Sequence, residues 1–213
     1  MAQIITALQV QKRNSNRVNV YLDGEYAFGI SRTAAAWLRV NQALSPEKIS
    51  ALRAQDKQEA AIQQALRLLS YRPRSVAEVR KKLVEKDFDP AVIETVINRL
   101  IEGNYLGDQA FAEEWVKNRS TFRPRSRRML QFELRQKGVA EEHIQSALTR
   151  IEDEPELAYQ AGIRYADRLA DLDWETFRRR LGAFLQRRGF SYGTITPLVK
   201  RIWDEMHSKE RAS

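Results

Sequence analysis

The chain has no cysteine and only two histidines, His143 and His207. Disulfides and thiolate-held metals are therefore excluded, and two imidazoles cannot build a histidine-rich zinc site. The missing thiols fit a reducing compartment. There is no run of about 18 apolar residues, so no membrane-spanning helix is expected. The opening residues Met1–Arg13 lack the charged–apolar–small order of a signal peptide, and a cytoplasmic protein is expected. Catalytic signatures are missing as well. Residues Gly24–Ser31 have the spacing of a phosphate-binding loop, but Ile30 stands where a lysine must reach the phosphates, and the segment reads as a strand. The chain contains no H-E-x-x-H and no acidic cluster of the kind that holds magnesium. The acidic pairs Glu113-Glu114 and Glu141-Glu142 sit near helix N-termini, where they complement the dipole. The residues therefore point to a non-enzyme with no cofactor.

What is present is basic charge and a repeat. The 213 residues carry a formal net charge of +8 with a pI near 9.8. That balance suits a polyanion or an acidic protein surface. A basic domain with no anionic ligand is the plainer alternative.

The phrase Tyr71-Arg72-Pro73-Arg74-Ser75 returns as Phe122-Arg123-Pro124-Arg125-Ser126, 51 positions later. Each copy stands between two stretches of helical periodicity and reads as a helix–helix joint. Ser75 with Glu78 has the spacing of a capping box. At the same offset Val79, Leu83, Lys86, Phe88, Ile93, Ile97, Arg99 and Leu100 fall on Leu130, Leu134, Lys137, Val139, Ile144, Leu148, Arg150 and Ile151. A further step of 51 reaches Leu181, Leu185, Arg188, Phe190, Ile195, Val199, Arg201 and Ile202. Core positions stay apolar and the two basic positions stay basic. Gly138 and Gly189 fit left-handed positions after a helix, with Asp87 in the same place in the first copy. The third copy departs: Asp173-Trp174 replaces the phrase, and Pro197 places the start of its last helix near Thr194.

The expected fold is mostly α, with three tandem three-helix repeats at 58–107, 108–157 and 158–213. Repeats of this size bury their faces by stacking, which predicts an elongated curved array. A compact helical bundle is the alternative. Residues 1–57 are expected to form a small β-hairpin meander with short helices. Ile4, Thr6, Leu8 and Val10 alternate as a half-buried strand, as do Val18, Val20 and Leu22, then Tyr26, Phe28 and Ile30. Asp23-Gly24 is a tight hairpin turn. Ser31 starts a helix over about 32–39, and Ser45-Pro46 starts another that can run on into the repeats. Lys12, Arg13 and Arg17 surround the first turn, a pattern common on surfaces without a role.

Basic residues cluster once per repeat. The first cluster is Arg72, Arg74, Arg80, Lys81 and Lys82. The second, Arg119, Arg123, Arg125, Arg127, Arg128, Arg135 and Lys137, encloses one acid, Glu133. The third is Arg178, Arg179, Arg180, Arg187 and Arg188, with no acid between its ends. Arg127 and Arg128 stand in the first turn of a helix, where they oppose the dipole but can hold a phosphate or carboxylate at the free N–H groups. A solvated face is the usual fate of charge runs; recurrence at one period favours a basic stripe. Tyr71, Phe122, Trp115 and Trp174 could stack on bases if exposed, but their helical spacing favours packing in the core.

The run Ala65–Ser75 followed by Glu78 and Leu83 resembles the opening repeat of the RecX regulatory family. Asn104–Asp108 with Phe111-Ala112 resembles that family's link into its second repeat, and Glu133–Gly138 its second-repeat helix end. Val18–Tyr26 resembles the β-hairpin extension of longer members. The likeness covers about residues 60–200. It implies tandem three-helix repeats and a non-enzymatic cytoplasmic modulator of the RecA recombinase in DNA repair and the SOS response. Such a protein lies in the groove of the RecA–single-stranded-DNA filament and depresses ATP hydrolysis, strand exchange and coprotease action. Some members bind single- or double-stranded DNA directly. The expected contacts to RecA or DNA are Arg72, Arg74, Lys81, Lys82, Arg119, Arg123, Arg125, Arg127, Arg128, Arg135, Lys137, Arg178, Arg179, Arg187 and Arg188, made by a monomer with no membrane partner. A DNA-binding module acting without RecA is the second reading, and a hidden nuclease the third.

Overall fold

A computed structural model describes residues 1–149, 151 and 153–210, with side chains through Ser208. Arg150, one of the recurring basic positions, lies outside the described residues. The chain divides into two compact units, residues 1–74 with 78–106 and residues 75–77 with 107–213.

The first unit opens with β1 (Gln3–Gln11), β2 (Asn14–Leu22) and β3 (Glu25–Ser31), and closes its sheet with the two-residue β4 (Ala43–Leu44). The antiparallel order is β3-β2-β1-β4. Alternation was enough to predict three strands; a pair of residues carries no period, so β4 was not expected. Asp23 and Gly24 both take left-handed backbone, at φ 51° and 93°, as a two-residue hairpin turn requires. Val18, Val20, Leu22, Phe28 and Ile30 are buried. The expected inner face of β1 is corrected. Ile4 and Val10 are exposed, Leu8 is half-buried, and Ile5 is fully buried. A register shift between Ile5 and Ala7 reverses which residues face the core. A second shift between Val20 and Tyr21 leaves Tyr26 exposed.

Ser31 caps α1 (Arg32–Ala35) by accepting from the Ala34 N–H. The helix stops after one turn rather than reaching residue 39, and Asn41, at φ 68°, turns the chain back. Ser45 caps α2 (Pro46–Tyr71), which runs unbroken into the repeat region. Arg17 reaches across to Asp56 of α2 at 2.7 Å. The first repeat is completed by α3 (Val76–Val84) and α4 (Pro90–Glu102), the latter capped by Asp89. Ala61, Ala65, Val79, Leu83, Ile93, Val96, Ile97 and Leu100 are buried.

The second unit holds two further repeats around one continuous core. These are α5 (Asp108–Phe122), α6 (Arg127–Gln136) and α7 (Glu141–Leu148), then α8 (Glu154–Ala166), α9 (Trp174–Arg187) and α10 (Tyr192–Glu210). Every core position related by the 51-residue offset in these repeats is buried. Asp87, Gly138 and Gly189 take left-handed backbone at φ 58°, 74° and 91°. The two glycines answer a second demand, close approach. A Cβ at Gly138 would come within 2.5 Å of Ala77, and one at Gly189 within 2.5 Å of the Ser126 hydroxyl. Each close approach comes from the start of the preceding repeat's joint helix, where the joint serine also bonds. The Ser126 N–H donates to the Arg188 carbonyl at 3.1 Å, and the Ser75 hydroxyl donates to the Lys137 carbonyl at 2.6 Å.

The third repeat keeps the cap but moves it. Asp173 accepts from the Thr176 N–H, as Ser126 does from Met129, so α9 begins one turn earlier than the offset predicts. The last helix is also corrected. It begins at Tyr192, because Ser191 caps it through the Thr194 N–H, and Pro197 falls inside the helix rather than in its first turn.

Candidate functional site

Charge density in the sequence does not translate evenly into available charge. In the first cluster Arg72 makes a two-bond pair with Glu78, at 3.0 and 3.1 Å. Arg74 donates to the Leu68 carbonyl, Arg80 pairs with Glu94 and Lys82 with Glu85. Lys81 is exposed and makes no hydrogen bond or close ion pair among the described residues, but its charge adds to the Lys82 bond in lowering the Glu85 carboxyl.

The second cluster is largely spent inside its own repeat. Glu133, with a side chain only 12% exposed, receives Arg119, Arg125 and the Trp115 indole N–H. Arg119 also lies over the Trp115 ring at 4.3 Å, and the Lys137 ammonium over the same ring at 5.2 Å. Arg127 donates to the Ile151 carbonyl at 3.1 Å. Arg135 pairs with Glu141 at 2.9 Å; that bond, with those from Gln145 and Gln131, holds the Glu141 carboxyl down at about 2. Arg123 and Arg128 remain exposed, with no partner among the described residues.

In the third cluster Arg188 is structural. Its guanidinium lies 4.4 Å over Phe184 and donates to the Pro124 carbonyl at 3.0 Å. Burial, with Arg125 and Arg123 nearby, pulls its pKa below the usual arginine value. Arg179, Arg180 and Arg187 are exposed and have no partner among the described residues. Among the described residues Arg178 approaches only Glu175, at 3.7 Å, with both side chains largely exposed.

The structure brings some of the unspent cations together. A groove of about 1040 Å³ beside α9 and α10 is lined by Arg128, Arg178 and Arg179, by Lys200, which pairs with Asp204 at 3.0 Å, and by Trp174 and Tyr192. Lys200, Trp174 and Tyr192 were not singled out as binding residues from sequence. A signal existed: Tyr192, Thr196 and Lys200 recur every four residues along α10, and Arg178, Gly182 and Gln186 do so along α9, so each set shares a helix face.

The joint aromatics are corrected. Tyr71 and Phe122 are not packed inside; each is 70% exposed. Each ends its helix six residues after a buried position, Ala65 or Val116. Six residues turn a helix by about 600°, which leaves the side chain about 240° away from the buried stripe. Trp115 and Trp174 do pack against the core. No described helix is long and apolar enough to cross a membrane.

Comparison with known proteins follows the repeat boundaries. Family models match in four consecutive stretches. They are the Regulatory protein RecX N-terminal domain at residues 3–45, and the RecX first, second and third three-helix domains at 61–100, 108–148 and 152–198. The chain is 30% identical to the regulatory protein RecX of Bacillus pumilus, over 94% of its own length and 78% of the relative's. It is 31% identical to that of Clostridium botulinum strain Alaska E43, over 92% and 94%. A crystal structure of regulatory protein RecX superimposes with a TM-score of 0.68 at 27% identity, covering 93% of this chain and 99% of that one. The RecX structure from Lactobacillus salivarius, at 24% identity and a TM-score of 0.59, covers 70% and 97% and supports the fold alone. With its strand module and all three helical repeats matched in order, the chain belongs to the RecX family of regulatory proteins.

Proposed function

We propose that this protein is a negative modulator of the RecA recombinase that binds the RecA–single-stranded-DNA filament along its groove. It depresses the filament's ATPase, strand-exchange and coprotease activities during DNA repair and the SOS response. It acts as a cytoplasmic monomer, without catalysis of its own, through four segments bounded near residues 57, 107 and 157. The observation that carries this reading is the set of exposed cations left without carboxylates in the RecX-like repeats: Arg123, Arg128, Arg179, Arg180 and Arg187. A filament displays phosphates and acidic side chains repeatedly, and several weak contacts made together raise affinity through effective concentration. The paired residues of the clusters, among them Arg72, Arg119, Arg125 and Arg135, hold the repeats in the shape that presents those cations.

The test is RecA's DNA-dependent ATP hydrolysis with the purified protein added at and above the filament's site concentration. Hydrolysis is expected to fall with added protein; an unchanged rate at severalfold excess contradicts the reading. The exposed Phe122 and Tyr192 favour a second reading, a DNA-binding module acting without RecA. It predicts salt-sensitive DNA binding and no recovery of the protein with RecA–DNA filaments.

A further inference from the structure

The groove beside α9 and α10 is built more elaborately than phosphate neutralisation needs. Four cations and one carboxylate, Glu175, line it. Its floor includes Ile195 and Val199 together with Gly182, where a Cβ would meet only the Ile195 side chain at 3.8 Å. The missing side chain at 182 leaves apolar space open. Two aromatic rings line the same groove. Tyr192 is 79% exposed, whereas Trp174 is anchored edge-on against Trp203, with ring centroids 5.4 Å apart. A ring already fixed by packing can receive a planar partner with little further loss of side-chain freedom.

Resting on the reading that this face meets the filament's DNA, we propose that the α9–α10 groove is a nucleobase subsite. It takes one unstacked base of single-stranded nucleic acid against Trp174, Tyr192 and the Gly182 floor, with the adjoining phosphates on Arg128, Arg178 and Arg179. A duplex keeps its bases stacked inside and offers nothing to this floor. The carboxylates of an acidic protein surface would satisfy the cations but bring no planar apolar group to the two rings. Stacking on aromatic side chains beside a cationic track is the chemistry of sequence-tolerant single-strand binding.

Fluorescence anisotropy of the full chain, without RecA, tests the assignment. A labelled oligothymidine is compared with an abasic oligonucleotide of equal length and charge. The normal strand is expected to bind about tenfold more tightly. Tyr192→Ala should weaken binding to oligothymidine about five- to tenfold and leave the abasic strand unchanged, while Tyr192→Phe retains affinity. Gly182→Leu, which fills the floor, should act like Tyr192→Ala. Arg178→Glu should weaken both strands. Melting curves identify any variant that has lost its fold, and the exposed Tyr192 substitution keeps the test valid if Gly182→Leu is one of them. Equal affinity for the two strands overturns the proposal. So does Tyr192→Ala binding oligothymidine as the parent does. If the groove variants lose only filament binding while DNA binding is untouched, the occupant is an acidic protein surface and the proposal fails. If the parent binds neither strand yet still slows RecA's ATPase, the subsite is wrong and the filament reading stands.

Discussion

The stretches 119–137 and 178–188 look alike in sequence, each dense in arginine, and they are opposites in structure. In the first, Glu133 collects Arg119, Arg125 and the Trp115 N–H, Glu141 takes Arg135, and the Ile151 carbonyl takes Arg127. Most of that charge is used to hold helices together. In the second, Arg179, Arg180 and Arg187 have no carboxylate to meet among the described residues, and only Arg188 is drawn into the packing. Counting charges per segment therefore overstates the second repeat as a binding surface and understates the third. A single acid at a half-buried branch point can pair with two cations and orient a third group, whereas an acid in an exposed first helical turn, such as Glu175, barely screens its neighbour.

Substitutions that separate the two roles test this contrast. The largest effect is expected from Glu133→Ala, which leaves two partly buried guanidiniums and an indole N–H without their acceptor. It should cost about 2–3 kcal/mol. A melting temperature lowered by about 5–10 °C is the readout; an unchanged melt would mean that the second cluster is not structural. Next comes Arg178→Glu with Arg179→Glu. Filament affinity is expected to fall about ten- to a hundredfold, with the melting temperature unmoved, as measured by filament pull-down and calorimetry. Smaller is Arg127→Ala, which frees the Ile151 carbonyl and should destabilise by about 1 kcal/mol, while filament affinity stays near that of the parent. A loss of affinity matching that of Arg128→Ala would instead make Arg127 a contact residue.

The smallest effect is a pH dependence. Folding lowers the Glu141 carboxyl to about 2, so its pairing with Arg135 stabilises the fold above the ordinary carboxylate range. That contribution is lost as pH falls through that range toward about 2. Carbon-detected NMR titration should find Glu141 among the lowest carboxyls, and Arg135→Ala should raise its midpoint. A Glu141 midpoint near 4 in the parent would show that the pair is not held in solution.

Much of the fold was legible because its signals are local. The 51-residue offset marks core positions such as Leu130, Leu134, Leu181 and Leu185, and caps at Ser31, Ser45, Asp89 and Ser126 need only their own next turn. The face of β1 was lost to a register shift that no alternation rule contains. The exposure of Tyr71 and Phe122 could have been read from their distance to Ala65 and Val116; their apolar rings at helical spacing obscured it. The ion pairs were illegible for a different reason. Glu78 and Glu133 meet arginines across a joint, so their pairing depends on how the next helix folds back. The groove draws Arg128 from α6 to the side of α9 and α10, a meeting set by tertiary packing rather than spacing.

Filament binding, measured side by side for two variants of equal charge change, decides most directly whether unspent cations make the contact. One is Arg178→Glu with Arg179→Glu; the other is Arg72→Glu with Arg80→Glu, where both arginines already face carboxylates. The first should lose about tenfold or more in affinity for RecA–single-stranded-DNA filaments, together with its effect on ATP hydrolysis. The second, checked by melting to be folded, should stay within about threefold of the parent, as expected for exposed pairs. Equal losses in the two would show that net charge alone drives binding and that pairing inside the repeats is irrelevant to it.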